Sequence, residues 1–227
     1  MRQSWSVLAL LVLIGALVLA AFAIRTLPAP QAAQQQAAAT LPPPTAPSVD
    51  VANPTKGPWN APISIVEYGD FLCDSCAKMS PDLDRLLAVY PTSIRLVWKD
   101  FPDTAAHAGA DTSSLAARCA QQQGRFWEYH DLLFAQRIAP DEASLIAAAG
   151  VLKLDTGAFK ACLTAKDTVP IVNRDFIEGQ RLNIDGTPYF FINDRRFSGA
   201  LDHDQLTKIV ETLGAVKAVA PAPAPAK

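Results

Sequence analysis

The sequence is poor in metal ligands and in net charge, and both shortages narrow what it does. Of 227 residues, three are histidine, four cysteine and two methionine. His107, His130 and His203 form no pair at ligand spacing. Phe126, Trp127, Tyr129 and the run 132–134 fit helix packing better than any cofactor site. No metal and no cofactor are therefore expected. Formal net charge is −2, and no basic stripe with interleaved aromatics is visible, so nucleic acid is not an expected partner. No repeat divides the chain, whose length fits one domain with appendages.

Charge is also missing locally. Residues 7–24 are an unbroken run of 18 apolar or glycine residues. As a helix such a run spans roughly 27 Å, near the thickness of bilayer hydrocarbon. Arg2 and the amino terminus precede it, and Arg25 follows. Positive charge is slightly heavier before the run, which places the N-terminus on the cytoplasmic side. The run reads as an uncleaved signal anchor. A cleaved signal peptide is the alternative, because Ala21-Phe22-Ala23 fits a cleavage site but lies inside the run. Residues 26–49 carry no charged side chain and are dominated by Pro, Ala and Gln. They cannot build a core and read as an extended tether, continued to residue 50. The Ala-Pro tail, 214–227, reads the same way. A folded domain is expected over 51–213.

Within that domain, 63–68 is a short β-branched run between Pro62 and Gly69 and predicts a buried strand. Residues 75–90 carry Met79, Leu83, Leu86 and Leu87 at helical spacing, with a stop at Pro91. A second strand is expected at 94–98. From about 104 to 184 the pattern is helical, with breaks expected near Gly124, Pro140, Gly150 and Gly157. A third strand, 189–192, turns at Asn193-Asp194 into a fourth, and a last helix runs over 202–213. The order gives an α/β fold in which a βαβ unit and a terminal hairpin flank a helical insertion.

The strongest chemical signal is Cys73-Asp74-Ser75-Cys76, placed after a strand and opening a helix. The spacing puts both sulfurs on one side of the first turn, within disulfide range. Unpaired N–H groups and positive potential at the helix start favour a thiolate on Cys73, and Cys76 can resolve a mixed disulfide. Half of a zinc site is the competing reading; it needs two more ligands, preferably a close pair, and Cys119 and Cys162 stand alone. An inert pair is the third.

With the stretches Ile65-Val66-Glu67-Tyr68-Gly69-Asp70-Phe71-Leu72-Cys73, Phe101-Pro102, Cys119-Ala120-Gln121-Gln122-Gln123-Gly124-Arg125-Phe126-Trp127 and Gly186-Thr187-Pro188, the chain resembles the DsbA-like branch of the thioredoxin superfamily. The likeness runs from Gly57 to the last helix. It implies a thioredoxin fold with an inserted helical domain, here preceded by an N-terminal transmembrane helix. It implies that Pro188 is cis and faces the cysteine pair, and that Thr187 touches the active sulfur and offers its backbone to a substrate strand. An acidic residue is found in the family at the position of Glu67. Buried, Glu67 would have a raised pKa and exchange a proton with Cys76; the alternative is a strand-end glutamate reaching water. Cysteines recur in related proteins where Cys119 and Cys162 stand. They are expected to be bridged, two small core residues being the alternative. Lys99 reads as a surface lysine. Asp74 is expected to place a negative charge near Cys73 and weaken its thiolate.

The expected function is an extracytoplasmic thiol–disulfide oxidoreductase working on exported proteins through Cys73 and Cys76, with a membrane or extracytoplasmic redox partner. A reductase or isomerase on the same scaffold differs only in redox poise. A copper chaperone using Cys73, Cys76 and Met79 is the reading from another class.

Overall fold

In the computed structural model, residues 44–218 and Leu17 are described. The chain divides into two units, Met1–Pro43 and Pro44–Lys227. Of the first, only Leu17 is described; it is helical. The expected anchor, 7–24, otherwise lies outside the described residues, as do most of the tether and the end of the tail. Among the described residues no helix is long and apolar enough to cross a membrane.

The second unit is organised by two apolar runs that pair. Strand β2 (Ile63–Gly69) follows a two-residue strand, β1 (Thr55–Lys56), and lies parallel to β3 (Ile94–Asp100). Between them runs helix α1 (Asp74–Val89). A hairpin of β4 (Tyr189–Ile192) and β5 (Arg195–Ser198) adds to the other edge of β2, antiparallel. The sheet order is β1-β3-β2-β4-β5. β1 pairs with β3 through Thr55 and Lys56 only, too short to leave any periodicity in the sequence.

The period-2 rule then sorts the side chains. Ile63 and Ile65 of β2, Ile94 and Leu96 of β3, and Phe190 and Ile192 of β4 pack with Met79, Leu83 and Leu86 of α1 and Leu206 and Val210 of α7 (His203–Thr212). Val66, Tyr68, Val97 and Phe191 face the other way, with Phe101, Leu182 and Ile184. Each fully buried Leu, Ile or Phe contributes about 1.5–3 kcal/mol.

The helical insertion is α2 (Ala110–Gln122), α3 (Phe126–Gln136), α4 (Glu142–Val151), α5 (Thr156–Ala165) and α6 (Val169–Arg181). Two of its breaks differ from the sequence expectation. Gly150 and Gly157 lie inside α4 and α5. The chain turns between them, where Lys153 takes a left-handed φ of 58° and Asp155 accepts from Ala158 N–H to cap α5. Capping chemistry, not glycine, sets that boundary. A further break follows at Lys166 (φ 58°), before Pro170 enters the first turn of α6.

Lys99 also departs from expectation. Its side chain is 1% exposed and pairs with Asp175 at 3.1 Å and Glu178 at 2.8 Å, both on α6. Arg118 of α2 bonds Asp100 at 2.5 Å and Asp175 at 2.6 Å. The strand alternation that points Val97 to the α6 side points Lys99 there too, and α6 covers it. The unit also begins earlier than residue 51. Asp50 pairs with Arg174, and Ser48 bonds Glu178, so the last tether residues lie against α6. At the other end Val216 donates to Ser93 Oγ.

Candidate active site

The chain leaves β2 through Gly69, and there is no room for a larger residue: an added Cβ would sit 2.2 Å from the Trp98 ring. Asp70, wholly buried, then folds the turn. Its carboxylate accepts Leu72 N–H at 2.8 Å, and its carbonyl accepts Cys73 N–H at 3.1 Å. That turn delivers Cys73 as the N-cap of α1. Its φ,ψ of −74°,123° is extended, and its sulfur accepts the Cys76 N–H at 3.4 Å. The cap position is ordinarily filled by an oxygen side chain; a thiolate there meets the unpaired N–H groups of the first turn.

The two sulfurs are reduced and differ in access. Cys73 is 6% exposed and Cys76 0%. The Cys73 thiol is pulled down to about 5, first by a hydrogen bond from Cys76, against some burial, with further bonds from Thr187 and from the backbone of Cys76 and Ser75. The Cys76 thiol is pushed up by burial first, then by its bond to Cys73 and the charges of Glu67 and Cys73. One sulfur is thus disposed to be a thiolate and the other a thiol.

Thr187 faces the pair from the loop before β4. Its carbonyl lies 3.4 Å from Cys73 Sγ, and the Thr187–Pro188 bond is cis. Glu67 lies beneath. It shares the β2 face of Ile63 and Ile65, opposite Trp98 on β3 and Phe190 on β4. It is 2% exposed. Burial raises its pKa to about 8, with smaller contributions from Cys73 and Asp84. Glu67, Cys73, Cys76, Thr187 and Pro188 therefore converge where α1, β2 and the β4 loop meet.

The helical insertion closes the site from the other side. Cys73 and Cys76 share a core with Phe71, Trp98, Phe126 and Phe134. Phe71 stacks on Trp98 at 4.8 Å. His130 is buried among these rings, and burial lowers its pKa. Cys119 on α2 and Cys162 on α5 are joined by a disulfide with a Cα–Cα distance of 5.9 Å.

Two expectations about charge and metal change. The Asp74 side chain is 77% exposed and pairs with Arg137, from the turn after α3. Its charge is met by a cation and directed to solvent. Met79 belongs to the core under α1 and α7, not to the cysteine cluster, and its sulfur accepts Leu201 N–H at 3.2 Å. It is not disposed as a third soft ligand. Among the described residues no group of three or more His, Cys, Asp or Glu is arranged to hold a metal ion.

The sequence reading missed three residues at the site. Asp70 had a usable signal, an Asp directly after a strand and three before a cysteine, where Asx turns form. His107 and Arg137 had none, because both arrive through loops of the helical insertion.

Comparison with known proteins gives a consistent picture. A family model described as Thioredoxin matches residues 50–212. A Na(+)/H(+) antiporter from Salinispora tropica is 37% identical over 155 residues, which is 68% of this chain and 24% of that protein. The chain thus spans about a quarter of such curated relatives, whose name describes the whole protein. Among solved structures, a thioredoxin-like oxidoreductase from Silicibacter pomeroyi superimposes with a TM-score of 0.66 at 25% identity, over 72% of this chain and 92% of that one. The catalytic domain of Proteus mirabilis ScsC superimposes with a TM-score of 0.63 at 26% identity, over 72% and 90%.

Proposed function

The chain belongs to the thioredoxin family, and on that premise we propose that it is a DsbA-like thiol–disulfide oxidoreductase whose Cys73 and Cys76 form disulfides in exported proteins. The observation that carries this reading is the asymmetry of the pair: an N-cap sulfur held down to about 5 beside a buried sulfur pushed up. A stabilised thiolate stabilises the reduced enzyme, which makes the disulfide form an oxidant.

The steps follow from access and protonation. With the Cys73–Cys76 bond formed, a client thiolate attacks the Cys73 sulfur, the one with a path to solvent. The bond breaks, its electron pair leaves on Cys76, and client and Cys73 share a mixed disulfide. Glu67, protonated below about pH 8, passes its proton to the Cys76 sulfur. A second client thiolate then attacks the client sulfur of the mixed disulfide. Cys73 leaves as a thiolate, the client having lost two electrons and the enzyme gained two. The Thr187 backbone, next to Cys73 Sγ, offers a pairing edge for the client segment. A membrane or extracytoplasmic redox partner takes the electrons back.

The Cys119–Cys162 disulfide supports an oxidising compartment, since such bonds persist outside the reducing cytosol. In this reading residues 7–24 anchor the domain to the membrane on its extracytoplasmic side, or are removed as a signal peptide.

In Cys76→Ser, mixed disulfides between Cys73 and clients should accumulate, while Cys73→Ser should form none. Acid trapping and alkylation in cells should find the parent pair mostly oxidised. A mostly reduced pair assigns the reductase or isomerase direction instead. Adducts on Cys76 in Cys73→Ser reverse the roles.

A further inference from the structure

The backbone edge beside Cys73 continues into a cleft that the exchange chemistry does not use. Thr187, whose carbonyl lies 3.4 Å from Cys73 Sγ, lines one end of it. The cleft holds about 240 Å³ and is open to solvent.

Its floor is apolar and firmly packed. Phe101, from the loop between β3 and α2, stacks on Phe176 of α6 with ring centroids 5.1 Å apart. An added Cβ at Gly179 would lie 2.6 Å from the Phe101 ring, so α6 and that ring are in close contact. Ile184 follows α6 and is held by its N–H bond to the Gly179 carbonyl at 3.1 Å. The mouth is acidic, with Asp103 and Asp185 both exposed there. Asp103 Oδ1 accepts the Ala105 and Ala106 N–H groups at 3.1 Å, and Asp185 Oδ1 accepts the Ser198 hydroxyl at 3.0 Å. Among the described residues neither carboxylate is in an ion pair and no basic side chain lines the cleft. His107, the one basic residue of the Phe101–Gly109 loop, is paired with Asp70 at 2.8 Å.

The cleft is tied to the reacting turn at both ends. Asp103 N–H donates to Asp70 Oδ2 at 3.0 Å, and the Asp70 carbonyl takes Cys73 N–H at 3.1 Å. At the other end the N–H groups of Asp185, Gly186 and Thr187 make no backbone bond among the described residues. That stretch is free to pair with an incoming segment.

We propose that this cleft is a specificity site for the client, taking a Lys or Arg side chain one or two positions from the client cysteine. The inference rests on the reading that Cys73 exchanges disulfides with client segments. A strand paired along 185–187 advances about 3.3 Å per residue, so the near neighbours of a cysteine placed at Cys73 Sγ reach the cleft. A long basic side chain matches both of its parts. The aliphatic stem covers Phe101, Phe176 and Ile184, and the charged end meets Asp103 and Asp185. An acidic side chain would face two like charges. An apolar one would fill the floor and leave both carboxylates to water. Asp103 and Asp185 therefore select the client without touching the reacting sulfur.

The test uses the disulfide form of the folded protein and dithiol peptides that carry Lys, Leu or Glu at each of the two positions on either side of one cysteine. Oxidation should show the highest kcat/KM for Lys and the lowest for Glu at one or more of these positions, with the spread narrowing as salt is added. Asp103→Asn keeps the oxygen that accepts the loop N–H groups, and Asp185→Asn keeps the partner of Ser198. Each should cut the preference for Lys over Leu by up to about fivefold, the range for a part-exposed ion pair. Asp185→Lys should favour Glu over Lys. Asp194→Asn changes net charge equally from the turn after β4 and should leave the preference unchanged. Equal rates for the three peptides, or Leu fastest, overturn the proposal. A Lys preference that survives in the double Asp103→Asn, Asp185→Asn protein overturns it too. In those cases peptides still oxidised through Cys73 keep the exchange reading, whereas peptides left reduced by the parent protein remove both.

Discussion

At the scale of the residue, Glu67 sets a measurable conflict between stability and chemistry. Its carboxyl moves from an ordinary value of 4.5 to about 8, chiefly by burial. Between those values the folded chain keeps a proton that the unfolded chain has released. Stability relative to a neutral side chain is therefore complete below about pH 4.5 and lost as pH rises through about 8. By pH 7 the loss amounts to roughly 3 kcal/mol. Glu67→Gln, uncharged at every pH, should match the parent at pH 4 and exceed it by roughly that amount at pH 7. Denaturant unfolding of the reduced proteins at the two pH values measures this. The same variant should exchange disulfides more slowly, because Cys76 has lost its proton donor. A stability gap that does not grow with pH would mean that Glu67 is hydrated and ordinary. The sequence placed this acid in an apolar strand, but only the covering of Trp98, Phe190 and α1 makes the placement consequential.

At the scale of the element, the helical insertion is fastened to the sheet by charge as well as by apolar packing. Arg118 of α2 bonds Asp100 of β3 and Asp175 of α6, and Lys99 of β3 bonds Asp175 and Glu178 of α6. Arg118, Lys99, Asp100 and Asp175 are all within 1% of full burial. Removing one member of such a group strands its partners without water. Arg118→Met should destabilise by about 3–5 kcal/mol, and a well-packed apolar replacement of several members together should cost less. Chemical unfolding of single and multiple variants would check both. A loss under about 1 kcal/mol would show that water reaches Asp100 and Asp175 once Arg118 is gone. Nothing in the local sequence announces this fastening. Lys99 follows an apolar run at a strand end, where solvent is the ordinary destination, and α6 is remote in sequence. Helix boundaries show the same limit. Lys153 and Lys166 take left-handed turns that glycine spacing misses, because caps and packing decide them.

At the scale of the whole molecule, the Cys119–Cys162 disulfide closes a loop of 43 positions within the insertion, tying α2 to α5. On the loop-entropy account such a link contributes about 4 kcal/mol. A Cys119→Ala, Cys162→Ala protein should lose that much stability while keeping a reactive Cys73, since the bridge lies on helices remote in the chain from the catalytic turn. Non-reducing peptide mapping of the exported protein should find one linked pair. Two alkylatable thiols at these positions would mean that the compartment is reducing and would undo the extracytoplasmic reading.

The sequence by itself determined strands at 63–68, 94–98 and 189–192, a helix over 75–90, and the placing of a C-x-x-C pair where that helix opens. It did so because those features are local: period-2 apolar runs, a helix start, two sulfurs three positions apart. The likeness to the DsbA-like branch added Thr187 and Pro188, which no local pattern singles out, and suggested a role for Glu67, an acid in an otherwise apolar strand. The tertiary structure alone decided what stands around the pair. It buried Lys99, turned Asp74 outward to Arg137, drew Met79 into another core, and brought His107 through Asp70 to the turn that holds Cys73. Each of those outcomes depends on where distant segments pack, and the free energy of a charge depends on what covers it, which a chain read residue by residue does not contain.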